Sequence, residues 1–119
     1  MKDVSDYARS LAFTPDERLL AGACGVFLRI WDATTGDLVV RMKVDQTHFQ
    51  AVGFTPDGRF LVAGRNDGTV QFYETGTWRE HAAFDWGIGP LACLVVARDG
   101  MRAAVGSKKG KILVWDLDL

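Results

Sequence analysis

Residues 106–111 form the segment of this sequence that comes nearest to a phosphate-binding motif. They read Gly-Ser-Lys-Lys-Gly-Lys. A phosphate loop needs four residues between its glycines and a Ser or Thr after its lysine, and it leads into a helix whose N-terminal amides meet the phosphate. Here three residues separate Gly106 from Gly110, Ile112 follows Lys111, and the next residues are typical of a strand. The segment is therefore interpreted as a hairpin turn.

Other side chains with catalytic or metal-binding chemistry stand alone in the sequence. His48 and His81 have no partner at the spacing of a metal site, and no Gly-x-Ser-x-Gly nucleophile motif occurs. Cys24 and Cys93 make neither a disulfide framework nor a ligand pair. The sequence predicts a protein that is not an enzyme and that has no metal or cofactor. A catalytic pair that meets in a channel from distant parts of the chain would leave no motif in the sequence.

The composition is that of an ordinary globular domain. Of 119 residues, 48% are hydrophobic and 24% are charged, with 14 basic side chains against 15 acidic ones. A nearly neutral chain gives no support for nucleic acid or an anionic membrane as the partner. The N-terminus lacks the apolar run of a signal peptide, and nothing approaches the ~20 apolar residues of a membrane helix. Two cysteines with no framework favour reduced thiols and a cytoplasmic location.

Two landmarks repeat along the chain with a common period. Residues 12–20, Ala-Phe-Thr-Pro-Asp-Glu-Arg-Leu-Leu, return at 53–61 as Gly-Phe-Thr-Pro-Asp-Gly-Arg-Phe-Leu, and 95–103 form a weaker copy. The second landmark is an aromatic residue followed by an acidic one, spaced 42 residues apart, at Trp31-Asp32, Tyr73-Glu74 and Trp115-Asp116. Because two independent landmarks share one period, the sequence consists of structural repeats.

Each repeat has the pattern of short β-strands joined by tight turns. Asn66-Asp67-Gly68 between two apolar runs is a strong hairpin signal, and Pro56-Asp57-Gly58 is a typical turn. Apolar runs that follow such turns predict strands at 19–23, 60–64 and 102–106. Fourth strands are predicted at 38–42 and 78–82. No segment has the periodicity and caps of a helix, so the chain is predicted to be all-β.

These motifs resemble the WD-repeat family. The resemblance rests on Phe-Thr-Pro-Asp-Gly-Arg at 54–59, Asn-Asp-Gly-Thr-Val-Gln-Phe-Tyr-Glu at 66–74, and Trp-Asp at 31–32 and 115–116, and it covers nearly the whole chain. It implies β-propeller blades, which are four-stranded antiparallel sheets packed face to face around a channel. Residues 1–119 then form a single propeller segment. Its blades lie at about 9–43, 50–84 and 91–119, and the third lacks its outer strand.

The buried Trp, Ser/Thr, His and Asp tetrad of the family is incomplete in every repeat. Its aromatic position is occupied by Trp31, Tyr73 and Trp115. The Ser/Thr position instead carries Gly22, Ala63 and Val105. No His lies at the family's position, and Asp67, which fits the hairpin-turn Asp, is expected to act within its own turn. Apolar packing between blades is therefore expected to supply most of the stability.

About three blades do not close a ring, because closed propellers have about four to eight. Two explanations stay open. The chain is the C-terminal piece of a longer propeller, or copies of it associate head to tail, so that two copies give six blades and three give nine. In both cases the sheet faces at the two ends of the array need cover, since repeat arrays left open expose apolar surface.

The resemblance places the loops that enter each blade and the middle hairpin turns on one face, the usual docking face. The candidate partner-binding residues on it are Phe49, Arg65, Asn66, Trp86, Lys108 and Lys109. Trp86, in the Gly/Pro-rich loop 85–90, is the strongest candidate because Trp and Arg dominate interface hot spots. The alternatives are a Trp86 ring folded over its own blade, a buried Phe49 and two simply solvated lysines. Trp78, in the predicted fourth strand, is expected to pack on its blade.

The leading functional hypothesis is a non-catalytic scaffold that presents this face to a protein or peptide. One alternative is a structural role as the closing segment of a larger propeller. Another is an enzyme that uses the channel of a completed ring, as some other propeller classes do.

Overall fold

The computed structural model describes residues 7–43 and 47–117, which form eleven β-strands and contain no helix. The strands are β1 (Ser10–Phe13), β2 (Leu19–Cys24), β3 (Phe27–Asp32), β4 (Leu38–Lys43), β5 (Phe49–Phe54), β6 (Phe60–Arg65), β7 (Thr69–Glu74), β8 (Glu80–Asp85), β9 (Leu91–Val96), β10 (Arg102–Ser107) and β11 (Ile112–Asp116). The all-β prediction is confirmed. In this part of the chain there is accordingly no helix that could span a membrane.

Three antiparallel sheets follow one another along the chain. They contain β1–β4, β5–β8 and β9–β11, and in each sheet a strand is hydrogen-bonded to its neighbours in sequence. Short turns allow this up-and-down order because an antiparallel pair needs only a hairpin connection. These sheets are blades one, two and three. Within the described residues, which leave out 118–119, blade three has three strands, as predicted.

The repeated landmarks occupy equivalent positions in the three blades. Each aromatic residue lies opposite a residue of the second strand, in the pairs Trp31–Leu20, Tyr73–Leu61 and Trp115–Ala103. In blades one and two the register of the third and fourth strands shifts directly before the aromatic residue. The period found in the sequence is therefore a structural period.

The outer strand of blade two begins later than the sequence predicts. β8 starts at Glu80, and Trp78 lies in the preceding turn with φ of 57°. The equivalent residue of blade one is Gly36, with φ of 79°. Both N–H groups close the turn, Trp78 by donating to the Glu74 carbonyl at 2.7 Å and Gly36 by donating to that of Asp32 at 2.8 Å. Trp78 still packs against the core between blades one and two, as expected.

Blade one packs against blade two through an apolar cluster. Blade one contributes the buried residues Ala21, Ala23, Leu28 and Ile30. Blade two contributes Phe49, Val52, Phe54, Leu61, Ala63 and Tyr73. Burial, and next the negative charge of Glu80, raise the pKa of Tyr73 to about 12, so its hydroxyl stays protonated. The inner strands are also linked by a hydrogen bond, in which the N–H of Val52 donates to Ser10 Oγ at 3.1 Å.

A second cluster joins blade two to blade three. Its buried members are Phe60, Val62, Val70 and Phe72 of blade two with Leu91 and Val105 of blade three. The Phe60 and Phe72 rings meet edge to face, with centroids 6.4 Å apart. Trp115 and Leu113 of blade three pack on this cluster without being fully buried. The two clusters show that neighbouring blades bury apolar side chains against each other, which is the main source of stability expected from the sequence.

The positions of the incomplete tetrad are occupied by close packing and by local turn contacts. A Cβ added to Gly22 would lie 2.7 Å from Cζ3 of Trp31, so the indole ring covers the site where the family has Ser or Thr. Asp67 accepts a hydrogen bond from the N–H of Thr69 at 3.0 Å and pairs with Arg65 Nη2 at 2.8 Å. Asp67 therefore acts within its own turn, as expected.

Candidate protein-docking surface

The middle hairpin turns of blades two and three meet on one surface, together with the start of β5. Asn66 is at its centre, because its Oδ1 accepts hydrogen bonds from Lys108 Nζ at 3.1 Å and from Gln50 Nε2 at 3.2 Å. The N–H of Lys108 also donates to the carbonyl of Pro90 at 2.8 Å. We define the turn surface as Gln50, Arg65, Asn66, Asp67, Lys108 and Lys109. Four of these six residues are sequence-predicted docking candidates.

Glycine allows the loop of residues 85–90 to approach the turn of blade two. Gly68 has φ of 95°, and a Cβ there would lie 2.9 Å from the carbonyl oxygen of Gly89. An L-residue would therefore be strained by its backbone and would also strike the loop. The loop in turn lies along the side chain of Lys109, whose Cδ would be 2.9 Å from a Cβ on Gly89. The turn surface is thus continuous across blades two and three.

The segment 106–111 is the hairpin turn that the sequence predicts, between β10 and β11. Ser107 Oγ accepts hydrogen bonds from the N–H groups of Lys109 and Lys111, both at 3.2 Å. The N–H of Gly110 closes the turn on the carbonyl of Ser107 at 3.1 Å. The turn is followed by the strand β11 and leaves its lysine side chains exposed.

The turn surface carries excess positive charge. The Arg65 guanidinium is paired with the Asp67 carboxylate. Within residues 7–43 and 47–117, the structure shows no carboxylate in an ion pair with Lys108, Lys109 or Lys111. The ammonium group of Lys108 donates a hydrogen bond to the neutral Asn66 side chain. These lysines are free to meet acidic groups of another molecule.

Trp86 packs back on the protein, which is the alternative considered for it. Its ring stacks on Phe84, with centroids 5.5 Å apart and planes at 5°, and it meets Trp115 of blade three at 4.6 Å. The side chain is half-buried against the cluster between blades two and three. Trp86 therefore contacts two blades. Its substitution would weaken the packing between blades two and three in addition to any effect on the binding of a partner.

Phe49 does not lie on the turn surface: of the two possibilities considered for it, the buried one holds, so it is removed from the docking candidates. Its side chain is 0% exposed, because it begins β5 and points into the cluster between blades one and two. The register between β5 and β6 shifts between Phe49 and Ala51, and Gln50, which lies within this irregularity, reaches the surface instead. Gln50 was missed because a single polar residue within a strand gives no distinct signal in the sequence.

The residues with metal-binding chemistry are dispersed. His48 is exposed, and the His81 ring lies 4.8 Å from the Phe60 ring, centroid to centroid. Cys24 is buried and Cys93 is exposed. Among the described residues, no three His, Cys, Asp or Glu side chains come together as metal ligands would.

In the turns at the opposite ends of the blades, the carboxylates accept hydrogen bonds from groups of the same turn. Asp16 Oδ1 accepts the Thr14 hydroxyl at 2.6 Å, and Asp57 Oδ1 accepts the Thr55 hydroxyl at 2.7 Å. The Thr14 hydroxyl, followed by the N–H of Arg18, lowers the pKa of Asp16. The N–H of Arg59, followed by the Thr55 hydroxyl, lowers the pKa of Asp57. These side chains hold turns in place, which leaves the turn surface as the better docking candidate.

Comparison with known proteins supplies a family match and several relatives. The model of the family described as WD domain, G-beta repeat matches residues 40–74. This match runs from within β4 to the end of β7, so one sequence repeat combines the outer strand of blade one with the three inner strands of blade two.

The relatives are much longer than this chain. Serine-threonine kinase receptor-associated protein of Dictyostelium discoideum is 30% identical over 108 residues, which cover 89% of this chain and 36% of the relative. Target of rapamycin complex subunit LST8 of Mus musculus is 24% identical, over 91% of this chain and 34% of the relative. Telomerase protein component 1 of the same species is 29% identical, over 86% of this chain and 4% of the relative. The chain thus spans little more than a third of these relatives at most.

Proposed function

We propose that this chain, which belongs to the WD-repeat family, is a non-catalytic scaffold that docks a protein or peptide on its turn surface. The observation that carries the proposal is the hydrogen bond between Lys108 Nζ and Asn66 Oδ1. This hydrogen bond links the turns of two blades, so that a partner would meet both turns as one surface.

The partner that fits this surface carries carboxylates. Lys108 and Lys109 are exposed and, within the described part of the chain, meet no acidic side chain. Arg65 adds a planar guanidinium that is already oriented by Asp67. Complementary charges at an interface favour the correct partner and speed the encounter. An acidic segment of a protein is therefore the proposed ligand.

The names of the relatives support a role in assembly. One relative is named as a subunit of a complex and another as associated with a receptor. Those descriptions apply to proteins of which this chain covers only a part.

The test is quantitative capture of partner proteins by the immobilised chain. The double variant Lys108→Gln, Lys109→Gln, which lowers the net charge by two, is compared with the wild type and with Arg98→Glu, which lowers it by the same amount. Arg98 is exposed in the turn between β9 and β10, at the opposite end of the same blade, so its reversal controls for the change of net charge. Loss of contacts at a docking site typically costs ~1–2 kcal/mol, so we expect the double variant to bind about tenfold more weakly.

Two outcomes are informative. Retention of partners by Arg98→Glu and their loss from the double variant, with elution of the wild-type complex by salt, support the proposal. Equal retention by all three proteins contradicts it. Circular dichroism of each variant shows whether the β-sheet fold is kept.

We also propose a cytoplasmic location, because the sequence has two cysteines at no spacing that suggests a disulfide framework, which is usual for proteins of a reducing compartment. Fluorescence microscopy of the tagged protein tests this proposal. A signal confined to a secretory compartment would contradict it.

A further inference from the structure

Blade one exposes on its free face two residues of β1 whose equivalents in blade two are buried. Val52 and Phe54 of β5 are covered by blade one and are 5% and 9% exposed. Their equivalents in β1 are Leu11 and Phe13, since these lie 41 residues earlier, and each is 57% exposed. Trp31, the equivalent of Tyr73, lies on the same side of its blade over Gly22 and is itself 6% exposed, so the exposed apolar surface of this side belongs to Leu11 and Phe13. We call this free side the Trp31 face (Leu11, Phe13 and Trp31).

Blade three exposes the opposite half of the same interface. Ile30 of blade one and Phe72 of blade two are both 0% exposed, because each is covered by the following blade. Their equivalent in blade three is Val114, which is 59% exposed. Ile112, the equivalent of the buried Leu28 and Val70, is 79% exposed. We call this side the Val114 face (Val95, Ile112 and Val114).

The two faces are complementary halves of an interface that the chain makes twice within itself. In both internal interfaces, the side equivalent to the Val114 face packs against the side equivalent to the Trp31 face. Exposed contiguous apolar surface of this kind typically marks an interaction site. Both faces are present on one chain. The Trp31 face of a second copy can therefore cover the Val114 face of the first, and the Val114 face of the second can cover the Trp31 face of the first.

We propose that two copies of this chain associate head to tail, with the Val114 face of one copy packed on the Trp31 face of the other. Such a contact is heterologous, because different surfaces of the two copies meet. Two copies give six blades, which lies within the range of about four to eight that closes a propeller ring. The association uses the ends of the blade array and is independent of the turn surface.

The test measures molar mass by light scattering on variants that block one face each. Phe13→Arg blocks the Trp31 face and Val114→Arg blocks the Val114 face. Both residues are more than half exposed within one chain, so neither change removes a buried contact from the single copy. Met101→Arg is the matched control, because Met101 is exposed in a turn where blades one and two already carry Arg18 and Arg59.

We expect the wild type and Met101→Arg to associate, and each face variant to have the 13.1 kDa mass of one chain. An equimolar mixture of Phe13→Arg and Val114→Arg restores one intact contact, so its mass is expected to double. Both blocked faces carry added positive charge, which prevents them from pairing with each other.

The head-to-tail arrangement is overturned by a wild type that stays at the mass of one chain at all concentrations. It is also overturned if either face variant associates like the wild type, or if the mixture stays at the mass of one chain. If a variant loses the circular dichroism spectrum of the fold, Leu11→Arg or Ile112→Arg replaces it on the same face. These residues are 57% and 79% exposed, so they block the face without a buried substitution.

Discussion

Blade two and blade three are copies of one sequence pattern, yet only blade two has a neighbour on each side. Phe72 of blade two is fully buried, whereas its equivalent Val114 is 59% exposed. Tyr73 is buried and Trp115 is only half-buried, although both face the preceding blade. The difference shows that the buried apolar residues of a blade lie at its interfaces with neighbouring blades. Repeat proteins in general are stabilised in this way, because each unit contacts only its neighbours. The same residue position has a different energetic role according to what lies beside it.

The largest expected difference between equivalent positions lies in the core. Phe72→Ala removes a buried ring from the cluster between blades two and three and should destabilise the chain by ~3–5 kcal/mol. Val114→Ala, at the equivalent exposed position, should change the free energy of unfolding by less than about 0.5 kcal/mol in a single chain. Denaturant unfolding at low protein concentration measures both. Equal losses of stability in the two variants would contradict the conclusion that Phe72 is covered by a neighbouring blade and Val114 is not.

A smaller difference is expected at the first turn of each blade. In blade two the Thr55 Oγ accepts the N–H of Phe60 at 3.1 Å, and its hydroxyl donates to Asp57. Blade three has Ala97 at the position of Thr55. Thr55→Val should cost ~1–3 kcal/mol, because it leaves a buried N–H without this partner. Ala97→Thr should gain up to ~1 kcal/mol. If Ala97→Thr is neutral while Thr55→Val is costly, the two turns are not equivalent.

The same turn predicts a dependence of stability on pH. The N–H of Arg59 and the Thr55 hydroxyl lower the pKa of Asp57 below its ordinary value of 3.8. A carboxyl whose pKa is lower in the folded state stabilises the fold above its unfolded pKa, and the contribution is lost as the pH falls through the folded value. Thermal unfolding of the wild type should therefore become easier below about pH 4. Thr55→Val should show a smaller acid effect, and an equal or larger one would exclude this role for the hydroxyl.

The smallest expected effect comes from backbone strain. Glu17 has φ of 62° in the turn where blade two has Gly58, with φ of 75°. A non-glycine residue in the left-handed region costs ~1–2 kcal/mol, so Glu17→Gly should stabilise the chain by about 1 kcal/mol, since glycine itself loses some entropy. Gly58→Glu should destabilise it by at least as much. Both are measured by denaturant unfolding, and a destabilising Glu17→Gly would refute the argument.

Most of the fold is predictable from the sequence because turn residues and alternating apolar residues act locally. The landmark at 54–59 predicts a strand at 60–64, close to the observed β6, and the Asn66-Asp67-Gly68 hairpin signal lies between the apolar runs that form β6 and β7. The start of β8 was predicted too early because Trp78 occupies a left-handed position where glycine would be the usual signal. Because aromatic residues are common in β-strands, a tryptophan at that position is interpreted as part of the strand when only the sequence is considered.

The candidate site was predictable only in part. Arg65, Asn66, Lys108 and Lys109 follow from the repeat, since the resemblance assigns the middle turns to one face. Phe49 and Trp86 were uncertain because burial depends on the neighbouring blade and on Phe84, which the local sequence does not reveal. Contacts between residues 42 apart, such as that of Lys108 with Asn66, arise from packing of whole blades.

The central claim is that neighbouring blades stabilise one another, and amide hydrogen exchange tests it most directly. β2, β6 and β10 are the second strands of their blades, and each is paired on both sides within its sheet. In the Val114→Arg variant, whose Val114 face is blocked, we expect the amides of β6 to exchange most slowly because only blade two is covered on both faces. Exchange in β2 or β10 that is as slow as in β6 would contradict the claim.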